Sequence, residues 1–394
     1  MAEKFVYMDN AATKKIYPET LEYMCDVLKN NYGNPSTLYK TGRESKKIIV
    51  SAREKIASLL NCKPNEIYFT SGGTESDNWA IKGAAYANQK KGRHIITTKF
   101  EHPAVTAALK ALEKEGFSVT YLDVYENGVI KLEDLENAVR EDTILIAIIY
   151  INNEIGTIQP IKEAAEIAKK HNIVFFTDAV QAVGNILIDL EDLGVNMLAF
   201  SGHKFGAPKG IGALYIKSGT ILKNLIDGGG QERKKRGGTE SVASIAALAN
   251  ALEISVSHLK DGHRVERVRK LRDRLIDSIL TQIPETRLNG DRDNRIYSNV
   301  NVAINYIEGE SLILLLDMAG IAASTGSACS TDSLEPSHVL LAIGLPHEIA
   351  HGSLRLTLSF DTTDEDVDYI LEKLPPIVDK LREMSPLYNR PSLN

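Results

Sequence analysis

The alternation of short β-rich runs with helical patterns between residues 67 and 216 constrains this chain more than any other feature. Seven runs are expected to form strands: Ile67–Thr70, His94–Thr98, Ser118–Leu122, Ile144–Ile151, Ile173–Thr177, Met197–Phe200 and Gly212–Ile216. Between them, apolar residues recur at helical spacing, as they do from Val105 to Leu112. This pattern predicts an α/β fold with a mainly parallel, seven-stranded sheet covered by helices. Ligands of such sheets bind outside the carboxyl ends of the strands, so the residues that follow each strand are the first candidates for a site.

The pattern changes after Thr239, where longer helical stretches replace the alternation. Two helices and two strands are predicted there, at Thr239–Leu259, Arg264–Ile283, Ser298–Ile304 and Ser353–Ser359. These elements predict a smaller α+β domain. We expect residues 16–260 to form the large domain, and residues 1–15 and 261–394 to form the small one.

Charge and apolar content argue against two classes of partner. The chain has 46 Lys and Arg against 52 Asp and Glu, a net charge of −6 that gives no general attraction to nucleic acid. The longest apolar run, Thr143–Ile151, is less than half as long as the roughly 20 residues of a membrane-crossing helix. The N-terminus lacks the apolar core of a signal peptide. We therefore expect a cytoplasmic protein with no nucleic-acid or membrane partner.

Two turns at the predicted carboxyl edge of the sheet carry the chemistry of a phosphate site and a reactive amine. The turn Ser71–Thr74 leads into a helix, whose free N–H groups and positive dipole end suit a phosphate monoester. An ordinary capped turn is the alternative. Lys204 ends the segment Ser201–Lys204 after the sixth strand, where partial burial lowers the pKa of an amine and favours a Schiff base with an aldehyde.

Three further polar residues are placed to act with this amine. Asp178 ends the fifth strand and is predicted to pair with a protonated ring nitrogen, while Gln181 follows it closely. His102 precedes Pro103 and is predicted to stack on a ring or to shuttle protons. A capping or packing role is the ordinary alternative for each. Together, a phosphate cradle, an amine and an aspartate are what pyridoxal 5'-phosphate requires.

A cation for a carboxylate and an accessible thiol complete the candidates. Arg355 alternates with leucines in a strand pattern, so its guanidinium is predicted to project away from the apolar side and bind a substrate carboxylate. An exposed arginine on an edge strand is the alternative. Cys329 lies in a polar segment that predicts an accessible loop. Cys25 is predicted to be a core thiol, and Cys62 is placed in a turn that ends a helix.

The segment His347–His351 matches the H-E-x-x-H pattern of zinc hydrolases. Pro346 and Gly352 leave room for barely one helical turn, whereas the zinc motif needs a continuing helix. We therefore expect a surface turn here and no metal site.

Seven motifs carry a resemblance to a known enzyme family. They are Asp9–Thr13, Gly33–Ser36, Ser71–Asn78, Asn152–Gly156, Ser201–Lys204, Arg236–Thr239 and Ser327–Cys329. The chain, from about residue 5 to about residue 387, resembles the NifS/IscS cysteine desulfurases. This resemblance implies the type I fold of pyridoxal phosphate enzymes, a homodimer, and conversion of L-cysteine to L-alanine with the sulfur left on Cys329 as a persulfide. It also implies a sulfur-acceptor protein, such as an iron–sulfur scaffold, serving cluster assembly or a related thiolation pathway.

The resemblance gives each matching residue an expected role. Three residues would be catalytic, with Lys204 as tether and base, Cys329 as sulfur acceptor and His102 on the cofactor ring. The other cofactor-binding residues would be Gly73, Thr74, Asn153, Asp178, Gln181, Ser201, His203 and, reaching the neighbouring subunit, Thr239. The substrate carboxylate would be held by Asn34, Asn153 and Arg355.

Three other functions remain open at this point. One is a pyridoxal phosphate transaminase or lyase in which Cys329 is incidental. The second is a zinc hydrolase built on His347 and His351. The third is a catalytically inactive protein of a sulfur pathway, which the complete set of cofactor positions disfavours.

Overall fold

A large sheet, helices on its two faces and a smaller sheet make up the fold of the computed structural model, which describes residues 4–326, 336–386 and 388. The first elements in chain order are β1 (Val6–Tyr7), α1 (Pro18–Asn30), α2 (Lys40–Leu59), β2 (Ile67–Thr70), α3 (Gly73–Asn88), β3 (His94–Thr98), α4 (Pro103–Lys114), β4 (Ser118–Leu122), α5 (Leu132–Ala138), β5 (Thr143–Ile149) and α6 (Ile161–Lys170). The next are β6 (Val174–Asp178), α7 (Leu190–Leu193), β7 (Met197–Ser201), β8 (Gly212–Ile216), α8 (Gln231–Lys234), α9 (Val242–Lys260) and α10 (Gly262–Gln282). The last are β9 (Thr286–Leu288), β10 (Asn299–Ile304), α11 (Gly309–Met318), β11 (Ile321–Ala322), α12 (His338–Ala342), α13 (His347–Ala350), β12 (Ser353–Thr357) and α14 (Asp364–Met384).

The large sheet contains the seven predicted strands in the order β2-β8-β7-β6-β5-β3-β4. Its strands pair in parallel except β8, which is antiparallel to both β2 and β7. The prediction of a mainly parallel seven-stranded sheet is thus confirmed, with strand ends shifted by at most two residues. Because β8 runs against its neighbours, its first residue lies at the same edge as the carboxyl ends of β2 and β7.

Helices cover both faces of this sheet because successive strand residues point to opposite sides. In β3, Ile95 belongs to a core shared with α3 and α4, whereas Ile96 belongs to a core shared with α2, α6 and α9. Helix α9 is apolar and long enough to cross a membrane by composition alone, but 67% of its most apolar window is buried in the fold. Its apolar character is therefore that of a core helix.

The C-terminal part contains a second sheet of three antiparallel strands in the order β12-β10-β9. The two predicted helices and two predicted strands of this part are present. The helices α11 to α14 and the short strands β9 and β11 were not predicted. Strand β1 pairs in parallel with β11, so the N-terminal segment contacts the C-terminal part. The division into domains at residue 260 stays a prediction.

The prediction that Cys25 is a core residue is wrong. Helix α1 buries Thr20 and Val27, and Val27 packs with alanines of α9. Cys25 lies on another side with Leu21 and Leu28 and is exposed. The apolar spacing on α1 correctly indicates that one face of the helix is buried. In this chain, however, the buried face is the one with Val27, not the one with Cys25.

Candidate active site

A cavity of about 410 Å³ lies at the carboxyl edge of the large sheet. This volume falls in the range of small-molecule sites, roughly 300–1,000 Å³. Ten of the predicted site residues line it. Nine lie at or after the ends of strands of the large sheet and Arg355 lies within β12: Gly73, Thr74, His102, Asn153, Asp178, Gln181, Ser201, His203, Lys204 and Arg355. The fold therefore assembles in one place residues that are up to 282 positions apart in the chain.

The turn between β2 and α3 forms a glycine-lined part of this cavity. A Cβ atom on Gly212, the first residue of β8, would lie 2.7 Å from the Cα atom of Gly72. The missing side chain lets the turn cross the intervening strand β8 toward β7. A Cβ atom on Gly73, where α3 begins, would lie 2.6 Å from Cγ2 of Val180. Two close backbone approaches thus place the N-terminus of a 16-residue helix at the cavity, which suits an anion.

Lys204 ends a single 3₁₀ turn, Gly202–Lys204, and lines the cavity. The carbonyl oxygen of Ala11 accepts hydrogen bonds from Nζ of Lys204 at 2.7 Å and from Nε2 of Gln181 at 2.9 Å. The N-terminal segment therefore orients both side chains. Burial and the charges of two nearby lysines lower the pKa of His203 to about 4. Its imidazole is consequently neutral at pH 7.

Asp178 and His102 lie close together in the cavity wall. One side-chain atom from each of Asp77, His102 and Asp178 lies within 4.8 Å of the other two. Oδ1 of Asp178 accepts a hydrogen bond from the Val180 N–H at 2.9 Å, while burial raises the pKa of this carboxyl. His102 caps α4, and its Nδ1 accepts a hydrogen bond from the Ala104 N–H at 3.1 Å. Since Nδ1 is an acceptor, the neutral ring carries its proton on Nε2, and burial lowers its pKa.

Arg355 is 3% exposed, so the alternative of an exposed edge arginine is wrong. Its Nη1 donates a hydrogen bond to the Asn153 carbonyl oxygen, and its Nη2 donates one to Oδ1 of Asp9, both at 2.8 Å. Its Nε is buried and has no hydrogen-bond partner within the described ranges. A fixed guanidinium with an unsatisfied donor beside the cavity suits a carboxylate ligand.

Sequence reasoning missed two buried acids next to these residues. Asp77 of α3 is 1% exposed and lines the cavity, and Glu101 is fully buried directly before His102. Burial raises the pKa of both carboxyls, that of Glu101 to about 8. A signal was present for Asp77, because it shares a helical face with the buried Ile81 and Ala84. An acid on an apolar helix face is a candidate functional residue.

Three predicted site residues are not among those that line this cavity. Asn34 and Thr239 are exposed, and Oδ1 of Asn34 accepts a hydrogen bond from the Ser36 N–H. Cys329 lies outside the described residues. Within one subunit, the structure therefore gives Asn34 and Thr239 no contact with the cavity that the other residues share.

Glu154 contacts the described residues on both sides of the segment 327–335, to which Cys329 belongs. Its Oε2 accepts a hydrogen bond from Oγ of Ser337, and a Cβ atom on Gly326 would lie 3.1 Å from the same oxygen. Gly326 also lines the cavity. One flank of the segment that contains Cys329 is thus at the cavity wall, and Glu154 joins it to the other flank.

The second histidine pattern does not form a comparable group. Helix α13 spans only His347–Ala350, and the rings of His347 and His351 lie 6.5 Å apart at their centroids. Both residues are exposed. Within the described ranges, neither belongs to a cluster of three metal-ligating side chains.

The cavity fits pyridoxal 5'-phosphate on several independent observations. Close glycine approaches supply a cradle for the phosphate, Lys204 supplies an amine, and Asp178 supplies a buried carboxylate for a ring nitrogen. Fold and site together define an α/β enzyme of the aminotransferase type.

Comparisons with known proteins place the chain more closely. The sequence profile of the family described as Aminotransferase class-V matches residues 6–370. The chain therefore belongs to the class-V aminotransferase family. A protein of Clostridium botulinum (strain Hall) named cysteine desulfurase IscS is 54% identical over 387 residues, which cover 98% of this chain and 97% of the relative. A protein of Methanosarcina thermophila with the same name is 56% identical, with 98% and 94% covered.

Solved structures agree with this placement. A structure named NifS-like protein has a TM-score of 0.90 at 39% identity, covering 96% of this chain and all of that one. Another, named SspA in complex with cysteine, has a TM-score of 0.79 at 35% identity, with 90% and 98% covered. The predicted resemblance, the fold class and the pyridoxal 5'-phosphate cofactor are thereby confirmed.

Proposed function

We propose that this chain is a cysteine desulfurase that converts L-cysteine to L-alanine and transfers the sulfur to Cys329 as a persulfide. The observation that carries the proposal is the single cavity in which Lys204, Asp178 and Arg355 meet from three different strands. The names of the relatives support the same reaction. Neither a zinc site nor an inactive protein accounts for an amine, a buried acid and a carboxylate-binding cation in one cavity.

Pyridoxal phosphate, when bound, supplies an electron sink that stabilises negative charge at the Cα atom of an amino acid. In this proposal Asp178 would hold a proton at the ring nitrogen, Gln181 would bind the ring hydroxyl and His102 would pack on the ring. The phosphate is bound by Gly73, Thr74, Ser201, His203 and Thr239 of a second subunit.

The substrate is held and deprotonated by residues that already have defined partners. Arg355 and Asn153 would bind the α-carboxylate. Asn34 does not line the cavity, so this chain by itself gives it no part in that contact. The Nζ atom of Lys204 would hold the cofactor at rest and would act as the base that removes the Cα proton of cysteine. The hydrogen bond from Nζ of Lys204 to the carbonyl oxygen of Ala11 keeps the amine inside the cavity when it changes from tether to base.

Two sulfur atoms react in the sulfur transfer, Sγ of the substrate and the thiol of Cys329. The thiolate of Cys329 attacks Sγ of cysteine, an S–S bond forms, and the Cβ–Sγ bond breaks. The electron pair of the broken bond stays with the carbon skeleton, which takes up a proton and leaves as alanine. Thiol and cysteine therefore give persulfide and alanine, and no external oxidant is consumed.

Replacing Cys329 tests this assignment most directly. We expect Cys329→Ala to retain the visible absorbance of the bound cofactor. It should form no persulfide at position 329 and should lose sustained alanine formation. Cys62→Ala is the matched control, because Cys62 is a half-buried thiol that does not line the cavity. Alanine by chromatography and sulfane sulfur by mass spectrometry after addition of L-cysteine are the measurements. Sustained alanine formation by Cys329→Ala would defeat the proposal.

Lys204→Ala removes both the tether and the base. We expect its turnover to fall at least about 10³-fold, in line with the loss of a general base and a covalent tether. Lys217→Ala, at the end of the neighbouring strand β8, removes an exposed lysine and should keep wild-type turnover. Comparable alanine production by the two variants would contradict the role of Lys204.

We also propose that the enzyme works as a cytoplasmic homodimer whose small domain, residues 1–15 and 261–394, carries Cys329. A sulfur-acceptor protein, such as an iron–sulfur scaffold, takes the persulfide sulfur and so regenerates the thiol. Pull-down of a candidate scaffold by the wild type, combined with loss of sulfane sulfur from Cys329 on its addition, tests this step. A persulfide that is retained in the presence of scaffold would contradict it.

A further inference from the structure

Asp77 is a buried acid in the cofactor cavity for which the proposed reaction has no role. It lies in the second turn of α3 and is 1% exposed. Its Oδ1 atom is buried and has no hydrogen-bond partner within the described ranges. A buried ionised carboxylate without a partner is strongly disfavoured, so this group either is protonated or serves a ligand.

Three titratable groups lie near Asp77, and a fourth, Lys204, acts on two of them. Asp178 at the end of β6 and His102 at the start of α4 contribute atoms within 4.8 Å of its carboxyl. The charges of Asp178 and of Glu101, in the loop before His102, act on Asp77. Lys204 after β7 acts on Asp178 and His102. Two carboxyls this close in a dry site do not both ionise.

Hydrogen bonding decides which acid of this pair carries the proton. The N–H of Val180 donates to Asp178, and the positive charge of nearby Lys204 favours the ionised form of that carboxyl. Asp77 receives no comparable donor. His102 is held neutral because its Nδ1 serves the Ala104 N–H, so it supplies no fixed positive charge to Asp77.

Glu101 provides the comparison within the same cluster. Its Oε1 accepts hydrogen bonds from Oγ1 of Thr98 at 2.6 Å and from the Ile149 N–H at 3.0 Å. It does not line the cavity. The Oε2 atom of Glu101 also has no hydrogen-bond partner within the described ranges. Of the two acids, however, it is Asp77 that lines the cavity and has a carboxylate oxygen within 4.8 Å of Asp178 and His102.

We propose that Asp77 is a positioning residue that stays protonated and donates its proton as a hydrogen bond toward Asp178, so that Asp178 remains the ionised partner of the cofactor's ring nitrogen. A donor to an ionised carboxylate stabilises the charged form. Burial and the neighbouring acids, which raise the pKa of Asp77, act in the same direction. The inference rests on the proposed function only in that pyridoxal phosphate occupies the cavity.

The test compares Asp77→Asn with Asp77→Ala in the holoenzyme without substrate. Asparagine keeps a neutral N–H donor, so the dissociation constant of pyridoxal phosphate should stay within about twofold of the wild type. Alanine removes the donor, and we expect that constant to rise about tenfold or more, the loss expected for one hydrogen bond to a charged group. The wavelength and pH titration of the bound cofactor's visible band should shift in Asp77→Ala and be restored in Asp77→Asn.

Glu101→Gln is the matched control, since it replaces a second buried acid of the cluster that does not line the cavity. It should leave the cofactor's dissociation constant within about twofold. A tenfold loss in Asp77→Asn would overturn the proposal, because the charge of Asp77 would then be required. An Asp77→Ala variant with wild-type affinity and spectrum would overturn it as well. If the wild type itself binds no pyridoxal phosphate, the proposed function fails instead.

Discussion

Lys14 shows how burial alters the chemistry of a single side chain near the site. It follows the segment that orients Lys204, and its Nζ donates a hydrogen bond to Oδ1 of Asn185 at 2.5 Å. Burial lowers the pKa of Lys14 to about 8, and the charge of Asp361 opposes this shift only partly. The neutral amide oxygen of Asn185 compensates only in part for the water that the buried ammonium group has lost, so the charged form of Lys14 is disfavoured.

This lowered pKa predicts a pH-dependent stability. Between about pH 8 and pH 10.4 the unfolded chain keeps the Lys14 proton that the folded chain has lost, so the stability contributed by Lys14 rises with pH. We expect Lys14→Met to remove the cost of the buried charge, and thus to gain about 2 kcal/mol relative to the wild type at pH 7, a gain that disappears near pH 10. Thermal unfolding at pH 7 to 10 measures this difference. Lys15→Met, at an exposed neighbour, should show no such trend, and parallel curves for both variants would refute the prediction.

At the scale of elements, a buried ion pair joins α2, β2 and α8. Arg53 binds Glu232 through two hydrogen bonds of 2.9 and 2.6 Å, and the Phe69 N–H also donates to Glu232. The two charged side chains are 11% and 3% exposed. Glu232 and the two residues after it have positive φ angles, an unfavourable conformation that these contacts stabilise. The segment that leads to Thr239 is thereby held against the edge strand β2.

Removing one partner of this pair should therefore destabilise the fold strongly. We expect Glu232→Ala to cost about 3–5 kcal/mol, because it leaves the buried guanidinium of Arg53 without its carboxylate and the Phe69 N–H without an acceptor. Glu253→Ala breaks the exposed pair between Lys55 and Glu253 and should cost less than about 1 kcal/mol. Urea-induced unfolding of both variants measures the two losses of stability. Equal urea midpoints would show that the buried pair contributes no more stability than the exposed pair.

At the scale of the whole molecule, exposed apolar side chains concentrate between residues 21 and 39. They are Leu21, Tyr23, Leu28, Tyr32, Leu38 and Tyr39. Large exposed apolar patches are typical of protein interfaces. The exposed face of α1 that makes the Cys25 prediction wrong belongs to this patch, which we propose contacts the second copy of the chain.

Charged substitutions in this patch test the homodimer. Light scattering coupled to size-exclusion chromatography should give twice the chain mass for the wild type and a shift toward the monomer for Tyr32→Glu combined with Leu38→Glu. Because Thr239 would reach the phosphate of the other subunit, the double variant should also bind the cofactor more weakly. Leu314→Glu changes an apolar side chain that is 67% exposed elsewhere and should leave the dimer intact. A monomeric wild type would contradict the homodimer.

Much of the fold and site was predictable because it depends on local chemistry. The seven strands of the large sheet follow from runs of β-branched and aromatic residues, and the motifs place Lys204 and Asp178 directly after two of them. Strand ends at one edge of a sheet meet in space, so the residues of the cavity were expected together. Asp77 was missed because its position in α3 reads first as part of a capped turn.

The amino-acid sequence by itself determined the α/β class, the type of cofactor chemistry and the site residues that follow the strands. Each of these depends on residues that are neighbours in the chain. Only the tertiary structure decided that β8 runs antiparallel, so that Gly212 admits the turn at Gly72, and that Arg355 is buried against Asp9. It also decided which face of α1 is covered. These features depend on contacts between residues far apart in the chain, whose energies no local pattern contains.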